Sequence, residues 1–364
     1  MGFTCGLVGL PNAGKSTIFN ALSGAGARVE SYPFCTIEAH VGTVSVPDER
    51  LDRLAVLFPD KTRVPTHLEF IDIAGLVEHA SEGEGMGNQF LSEIRAVDAV
   101  AHVVRCFEDP NVAHVTGSID PLRDIEIVET ELLLKDHDTL GRVAKRLRQE
   151  VKGTDRNAAA RLAAWEALLE RVAEGTPVRS ATIEHAHVIA ELLRETSPLT
   201  AKPTLFVANV DDHGENGHAT AVEQAAAARG TASVPIRGRL EAEIAEVAAA
   251  PEERATYLAE YGLEQTGLDA LVRAGYRLLD LVTFFTVEGP EVRAWTVPTG
   301  TQAPDAGAKI HSDFADRFVL AEVMHLDDLL DAGSEKVLRD AGRVRRAGHD
   351  YVVCDGDVIH FICA

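Results

Sequence analysis

"GLPNAGKST", residues 9–17, has the spacing G-x-x-x-x-G-K-[ST] of a phosphate-binding loop. An apolar segment at 3–9 precedes the loop, and a stretch with helical spacing at 16–24 follows it. Glycines let such a loop curl so that its N–H groups point at phosphates, and the helix N-terminus adds a positive dipole end. The stretch therefore predicts a strand, a phosphate-binding loop and a helix, which together decide the fold.

The residue types in this loop predict how a nucleoside triphosphate binds. Lys15 is expected to reach the β- and γ-phosphates, and the Ser16 hydroxyl is expected to ligate Mg²⁺. Lys15 is therefore a candidate catalytic residue as well as a phosphate contact. The loop residues expected to contact the nucleotide are Asn12, Ala13, Gly14, Lys15, Ser16 and Thr17.

Two further segments predict the rest of a magnesium and γ-phosphate site. "DIAG" at 72–75 follows an apolar run and fits the D-x-x-G pattern, in which Asp72 holds Mg²⁺ through water and the Gly75 N–H senses the γ-phosphate. "YPFCTIEAHVG" at 32–42 carries Thr36, a candidate for a second hydroxyl ligand. The predicted metal set is thus Ser16, Thr36 and Asp72.

The pattern of apolar residues predicts the fold class. Strand-like and helix-like segments alternate through the first hundred residues, which is typical of a parallel sheet with helices on both faces. From Ile125 to Val151 apolar residues recur mostly at steps of three and four, and a second such run covers 162–172. These runs predict a helical hairpin; an ordinary helical subdomain packed on the core is the alternative.

Beyond residue 281 the chain consists mostly of short apolar segments separated by turn signals, which predicts a small α+β domain. We therefore expect an α/β P-loop NTPase domain of the GTPase-like type, with a helical insertion and a separate C-terminal domain. The expected boundaries are 1–121 with 200–280 for the NTPase domain, 122–199 for the helical or coiled-coil hairpin, and 281–364 for the C-terminal domain.

The composition indicates in which cellular compartment the protein is expected. No apolar run approaches the roughly 20 residues that span a bilayer, so no membrane association is expected. The odd number of scattered cysteines, with no C-x-x-C pair, favours reduced thiols in a cytoplasmic protein over a disulfide frame or a zinc site. These cysteines are Cys5, Cys35, Cys106, Cys354 and Cys363.

The net charge restricts which kinds of molecule are expected to bind the protein. The net charge of −22 repels phosphate backbones, so nucleic-acid binding needs a local basic patch. One candidate patch is "LRDAGRVRRAG" at 338–348, through which the C-terminal domain is predicted to contact RNA; a solvated charged face is the alternative. Its arginines are Arg339, Arg343, Arg345 and Arg346.

Several long motifs together resemble the YchF subfamily of Obg-related P-loop NTPases. The segments that carry the resemblance are GLPNAGKST, PFCTIE, DIAGLV, GEGMGNQFL, NVAHVTG and VTFFTVEGPEVRAW. The resemblance covers essentially the whole chain and implies that the C-terminal domain is a β-grasp domain of the TGS type. It also implies a cytosolic NTPase that prefers ATP to GTP and associates with ribosomes.

The resemblance also implies how water is activated. In GTPases a glutamine usually follows D-x-x-G and orients the attacking water. Leu76 stands at that position and cannot do so, and the resemblance instead assigns the role to His114 in "NVAHVTG". A neutral imidazole can orient or deprotonate water if its loop folds over the γ-phosphate.

The sequence departs from the family pattern at three places. Ala39-His40 stands where the family tends to have Pro-Asn, and Glu78-His79 where Lys-Gly is usual. The stretch "IRGRLEAEI" at 236–244 lacks the small pair expected before its Leu-Glu. The first two departures put the dynamics of the switch loops in doubt, and the third puts base contacts from this stretch in doubt.

"NVDD" at 209–212 is the candidate base-recognition segment, with Asn209, the Val210 backbone and Asp212 as expected contacts. In the GTPase pattern Asn-Lys-x-Asp, the Asp accepts two hydrogen bonds from guanine. Adenine offers a lone pair there instead, which leaves a fixed carboxylate unpaired. The family commonly has Glu at this position, so Asp212 favours guanine.

The lysine whose stem normally covers the base is replaced by Val210, and the small pair is also absent. Because two of the three elements of a guanine site are missing, ATP is predicted as the substrate ahead of GTP. The sequence leaves open a GTPase of the same fold, and also a nucleotide-gated scaffold in which hydrolysis is vestigial.

Overall fold

The computed structural model describes residues 3–24, 28–31, 40–73, 86–151, 156–214, 216–247 and 251–364. Its strands are β1 (Phe3–Val8), β2 (Arg28–Ser31), β3 (His40–Ser45), β4 (Thr62–Val64), β5 (His67–Asp72), β6 (Ala99–Arg105), β7 (Thr204–Asn209), β8 (Ser233–Ile236), β9 (Leu281–Thr286), β10 (Glu291–Pro298), β11 (Phe318–His325), β12 (Arg345–Ala347) and β13 (Asp357–Cys363).

Its α-helices are α1 (Lys15–Gly24), α2 (Glu49–Leu57), α3 (Met86–Ala96), α4 (Pro121–Glu150), α5 (Arg156–Ala173), α6 (Ala190–Thr196), α7 (Gly217–Ala228), α8 (Gly238–Val247), α9 (Pro251–Glu260), α10 (Gly267–Leu278), α11 (Ala303–Ile310), α12 (Asp313–Arg317), α13 (Leu326–Ala332) and α14 (Glu335–Asp340). Short 3-10 helices lie at Val178–Ser180, Ala186–Ile189 and Leu199–Ala201. None of the helices in the described ranges is long and apolar enough to cross a membrane.

Residue contacts divide the chain into two compact units. The first contains Met1–Val44 and Glu69–Gly275, and the second contains Ser45–Leu68 and Tyr276–Ala364.

The first unit is built on a seven-stranded sheet with the order β2-β3-β5-β1-β6-β7-β8. Strands β1, β6, β7 and β8 run parallel, whereas β2 and β3 are antiparallel. Every residue of β6 is buried, as expected for a central parallel strand covered by helices on both faces. In such sheets ligands bind beyond the carboxyl ends of the strands, where the predicted loops following β1, β5 and β7 all begin.

The helical insertion is in part a hairpin and in part a helical element packed on the core, so both interpretations of the sequence apply. The first half of α4 buries Ile125 and Val128 in the core of the sheet domain, and its second half packs on α5 around Trp165. The Trp165 indole donates to the carbonyl of Leu140 at 2.9 Å. The chain returns to the sheet at Leu199, whose N–H donates to the buried Asp136 carboxylate of α4 at 2.8 Å.

The second unit contains a six-stranded sheet with the order β12-β11-β13-β9-β10-β4. Strand β4 pairs in parallel with β10, and Leu51 and Leu54 of α2 are buried with Phe285 and Val292. Residues 45–68 therefore group with the C-terminal residues, whereas the sequence placed them in the NTPase domain at 1–121. The grouping depends on pairing between segments more than 200 residues apart, which local periodicity does not encode.

Candidate nucleotide-binding site

The phosphate-binding loop connects β1 to α1 and has the curled backbone that its sequence predicts. Asn12 and Gly14 have φ angles of 62° and 96°, both in the left-handed region. A Cβ on Gly14 would lie 2.1 Å from Nδ2 of Asn209, and a Cβ on Gly9 would lie 2.3 Å from the carbonyl oxygen of Val103. Both positions therefore require glycine, because the loop is pressed against the ends of β6 and β7.

Lys15 is held inside the loop that it is predicted to serve. Its side chain is buried, and Nζ donates to the carbonyl oxygens of Gly9 and Leu10, at 3.0 Å each. Burial lowers the pKa of Lys15, and the nearby Asp72 carboxylate opposes that shift. Phosphate oxygens can therefore take the place of the carbonyls of Gly9 and Leu10 on the Lys15 ammonium.

Two predicted magnesium ligands meet at this end of the sheet. The Ser16 hydroxyl, at the exposed start of α1, donates to Oδ2 of Asp72 at the end of β5, at 2.9 Å. Hydroxyl and carboxylate oxygens are the ligands that Mg²⁺ prefers, and Mg²⁺ usually takes one or two carboxylates together with substrate phosphates and water. The donor set in the described residues therefore fits Mg²⁺ beside a triphosphate.

Three residues of the predicted site lie outside the described residues. They are Thr36, the expected second hydroxyl ligand, Gly75, the expected γ-phosphate sensor, and Leu76, the replacement for glutamine. Their predicted roles are unchanged by the structure.

Asn209 joins the phosphate loop to the base-recognition end of the site. It ends β7 and is buried, its Nδ2 donates to the carbonyl of Ala13 at 2.9 Å, and its Oδ1 accepts from the N–H of Gly238 at 3.1 Å. One amide thereby fixes the loop and the N-terminus of α8 relative to each other. The sequence predicted Asn209 as a base contact; the structure gives it this bridging position as well.

The base-recognition end is more open. Val210 is buried, and a cavity of about 480 Å³ has Val210, Gly214 and Arg237 in its wall. Asp212 is 41% exposed and lies 3.9 Å, Oδ2 to Nε, from Arg239, which is 77% exposed. The carboxylate that favours guanine in the sequence therefore has a cationic neighbour, which sequence reasoning missed.

The loop between β6 and α4 lies on the phosphate loop. Nδ2 of Asn12 donates to the carbonyl of Ala113 at 3.0 Å. Arg105, buried at the end of β6, donates to the carbonyls of Val112 at 2.9 Å, Phe107 at 3.2 Å and Ala113 at 3.3 Å. Sequence reasoning did not find Arg105; an arginine ending a buried, mostly apolar strand is the signal that could have indicated it.

His114, in the same loop, has both ring nitrogens engaged. Nε2 lies 2.8 Å from Oδ2 of Asp124, and Nδ1 lies 3.2 Å from the N–H and 2.9 Å from the hydroxyl of Thr116. The side chains of His114 and Asp124 are only 7% and 4% exposed. The structure therefore brings the backbone beside His114 to the phosphate loop, while the imidazole is directed toward the start of α4.

The predicted basic patch of the second unit is largely paired with acids of the same unit. Arg339 and Arg346 contact Glu322 at 2.7 and 3.4 Å, and Arg343 pairs with Asp328. Arg339 and Arg346 lower the pKa of Glu322, chiefly through the hydrogen bond from Arg339. Two carboxylates in the described chain therefore offset part of the charge of the four arginines.

Comparison with known proteins gives matches along the whole chain. Residues 4–146 match the family model described as a 50S ribosome-binding GTPase, and residues 281–363 match the YchF GTPase C-terminal model, described as a protein of unknown function. The Ribosome-binding ATPase YchF of Escherichia coli O157:H7 is 46% identical over 364 residues, covering 100% of this chain and 99% of that protein. The protein of the same name in Bacillus subtilis (strain 168) is 44% identical over 366 residues, with 99% of each chain covered.

Solved structures agree with these matches. The Schizosaccharomyces pombe YchF GTPase is 34% identical with a TM-score of 0.87, over 99% of this chain and 97% of that one. A GTP-binding protein from Pyrococcus horikoshii OT3, 20% identical with a TM-score of 0.57, supports the fold alone. These matches confirm the predicted fold class of a GTPase-type P-loop domain followed by a separate C-terminal domain, which matches the YchF C-terminal model; its assignment to the TGS-like β-grasp type stays a prediction.

Proposed function

Because this chain belongs to the YchF family of P-loop NTPases, we propose that it is a Mg²⁺-dependent ATPase that works in association with the ribosome. The observation that carries the proposal is the joint placement of Lys15, Ser16 and Asp72 at the carboxyl ends of β1 and β5. Curated relatives of nearly equal length are named ribosome-binding ATPases, which supports the reaction, the partner and a cytoplasmic location.

The residues of the phosphate end have distinct roles in the proposed reaction. Lys15 exchanges the carbonyls of Gly9 and Leu10 for the β- and γ-phosphate oxygens, where its charge stabilises the charge that develops during phosphoryl transfer. Ser16 and Asp72 would hold Mg²⁺, which neutralises phosphate charge when bound. Thr36 is proposed as a further ligand, Gly75 as the γ-phosphate sensor, and His114 as the group that orients or deprotonates water.

The base end supports ATP ahead of GTP. A guanine-reading carboxylate must accept two hydrogen bonds from the base, but Asp212 lies beside the Arg239 cation, which competes for the same oxygens. Val210 is buried and has no lysine stem to cover a base. GTP hydrolysis is the second candidate, favoured by the position of Asp212 three residues after Asn209.

The ion pairs of the second unit restrict how its arginines can contact the ribosome. Three arginines of the sequence-predicted patch are engaged by Glu322 and Asp328, so RNA contact through them requires these ion pairs to exchange. RNA binding by the second unit therefore stays a prediction. Replacing Arg345, which stacks on Tyr351 at 5.1 Å, with Glu tests it by co-sedimentation with ribosomes.

The experiment that tests the proposed function measures phosphate release by the full chain from ATP and from GTP, with Mg²⁺ or with EDTA. Each reaction is run with and without purified 70S ribosomes. We expect Mg²⁺-dependent release that is faster from ATP, together with co-sedimentation of the chain with ribosomes. Binding of ATP without any phosphate release, even with ribosomes present, would instead establish the scaffold alternative.

A further inference from the structure

The hydrogen bonds around His114 define which ring nitrogen carries its proton. The backbone N–H of Thr116 can only donate, so Nδ1 of His114, at 3.2 Å, is an acceptor and bears no proton. The proton of the neutral ring is therefore on Nε2, which donates to Oδ2 of Asp124 at 2.8 Å. A neutral imidazole in this tautomer has its basic lone pair on Nδ1.

We propose that Asp124 is the positioning residue for His114: it keeps the ring proton on Nε2, so that Nδ1 is the atom that takes the proton from the attacking water. This inference rests on the proposed function, in which His114 is the group that activates water. Asp124 does not itself touch the substrate and acts only through the imidazole.

Burial and helix position suit Asp124 to this role. Its side chain is 4% exposed, and a hydrogen bond to a carboxylate is strong when water is excluded. Asp124 lies in the first turn of α4, whose positive dipole end favours a carboxylate, and the turn is fixed by the Asp120 cap and by Pro121. Burial raises the pKa of Asp124, and the hydrogen bond from His114 opposes that shift.

The loop places this pair next to the phosphate site. Ala113 precedes His114, and its carbonyl accepts from Asn12 of the phosphate loop at 3.0 Å. Arg105 holds the same carbonyl and that of Val112 from beneath. The backbone that precedes the imidazole is therefore anchored on the phosphate loop, while Asp124 holds the ring itself.

Thr116 covers Nδ1 in this structure, and its contacts allow release. Its hydroxyl lies 2.9 Å from Nδ1 and 3.3 Å from the carbonyl of Ser118. The hydroxyl can therefore give up the ring and still donate a hydrogen bond. Once Thr116 moves off Nδ1, water can take its position there while Nε2 keeps its hydrogen bond to Asp124.

The proton balance of the step is simple. The water oxygen bonds to the γ-phosphorus as the bond from that phosphorus to the bridging oxygen breaks, and the electron pair leaves on ADP. The water proton passes to Nδ1, and the imidazolium is stabilised by Asp124, which still accepts from Nε2. The ring then returns its proton to phosphate or solvent.

The test is Asp124→Asn. An amide can donate to Nε2, which favours the proton on Nδ1 and removes the base, as has been seen when the Asp of a Ser-His-Asp triad is changed to Asn. We expect kcat for ATP to fall by about 100-fold or more, within the range for a general base, with ATP affinity within about twofold of the parent chain. Asp120→Asn is the matched control: it removes the same charge from the same helix end, still caps α4, and is expected to keep kcat.

The ring tautomer gives a readout that does not depend on activity. In ¹⁵N-histidine-labelled full chain, with the His114 signals assigned by their loss in His114→Gln, we expect the proton on Nε2 in the parent and on Nδ1 in Asp124→Asn. A parent tautomer with Nδ1 protonated, or unchanged kcat in a folded Asp124→Asn chain, overturns the proposal. If the parent chain releases no phosphate, the proposed function fails instead, whatever the tautomer. Unchanged turnover in His114→Gln would show that His114 is not the base and that Asp124 does not position one. The proposed ATPase function would still stand.

Discussion

The two ends of the nucleotide site are built in different ways. At the phosphate end, Lys15 is 7% exposed and has two carbonyl partners, and Asn209, at 4%, fixes the loop. At the base end, the charged pair of Asp212 and Arg239 is 41% and 77% exposed and 3.9 Å apart. Exposed pairs are worth about 0–1 kcal/mol, so the proposed phosphate contacts rest on buried geometry, whereas the proposed base preference rests on weak surface charges.

The largest expected effect is at Lys15. Lys15→Ala removes the cation that stabilises the charge developing on the phosphates, and a lost donor of this kind typically costs about 10²–10³ in kcat. Single-turnover phosphate release measures it, with Lys145→Ala on the exposed face of α4 as the matched control. Turnover within tenfold of the parent would show that the phosphate end does not depend on this charge.

A second prediction concerns the bridge between the two ends. Asn209→Ala takes a partner from the buried groups of Ala13 and Gly238, at a cost of roughly 1–3 kcal/mol each. Both nucleotides use the loop that these groups fix, so a loss of about 2 kcal/mol or more should lower both affinities together by about 30-fold or more. The control is Asn216→Ala, which removes the cap of α7 and should lower Tm without changing affinity. A loss confined to one of the two nucleotides would contradict a shared bridge.

A third prediction concerns acid stability beneath the phosphate loop. Burial, reinforced by the Lys15 charge, lowers the pKa of His102 in β6 to about 3. Because the unfolded histidine titrates near 6.5, its contribution to stability is complete above that pH. It is then lost by up to about 1.4 kcal/mol per pH unit as the pH falls toward 3.

His102→Gln should flatten this dependence. Denaturant unfolding at pH 7 and pH 4.5 should show a smaller stability loss in this variant than in the parent, whereas the exposed His187→Gln should behave as the parent does. Equal losses in the parent and His102→Gln would mean that the buried ring takes up a proton as readily as the unfolded one.

The smallest expected effect is at the base end. Arg239→Ala removes the cation beside Asp212, which should shift the ratio of ATP to GTP affinity toward GTP by a few-fold, in keeping with the small energy of an exposed pair. Glu243→Gln removes the other partner of Arg239, at 3.3 Å, and should shift the ratio slightly toward ATP. Identical ratios in both variants would rule out a role for this pair in base preference.

The same contrast explains what could be predicted from the sequence. The phosphate end is encoded by neighbouring residues, so the spacing of Gly9, Gly14, Lys15 and Ser16 was sufficient, and Asp72 followed from its place at a strand end. The helical insertion was found because its apolar period is local and long.

The remaining features depend on contacts between distant segments. Residues 45–68 join the second unit through β4 and α2, and Glu322 pairs with Arg339 and Arg346 of the stretch that looks like a basic patch in the sequence. Asp124 contacts His114, and Arg239 lies beside Asp212, only because the fold brings these residues together. Periodicity and motif spacing carry no information on such pairs.

The most direct measurement of the central claim is a calorimetric titration of the full chain with AMP-PNP and with GMP-PNP, in Mg²⁺, side by side with Asn209→Ala. If both nucleotides share one phosphate end and the base end prefers adenine, AMP-PNP binds the parent chain more tightly than GMP-PNP does. The variant then loses affinity for both analogues in parallel. Equal or tighter binding of GMP-PNP to the parent chain would contradict it.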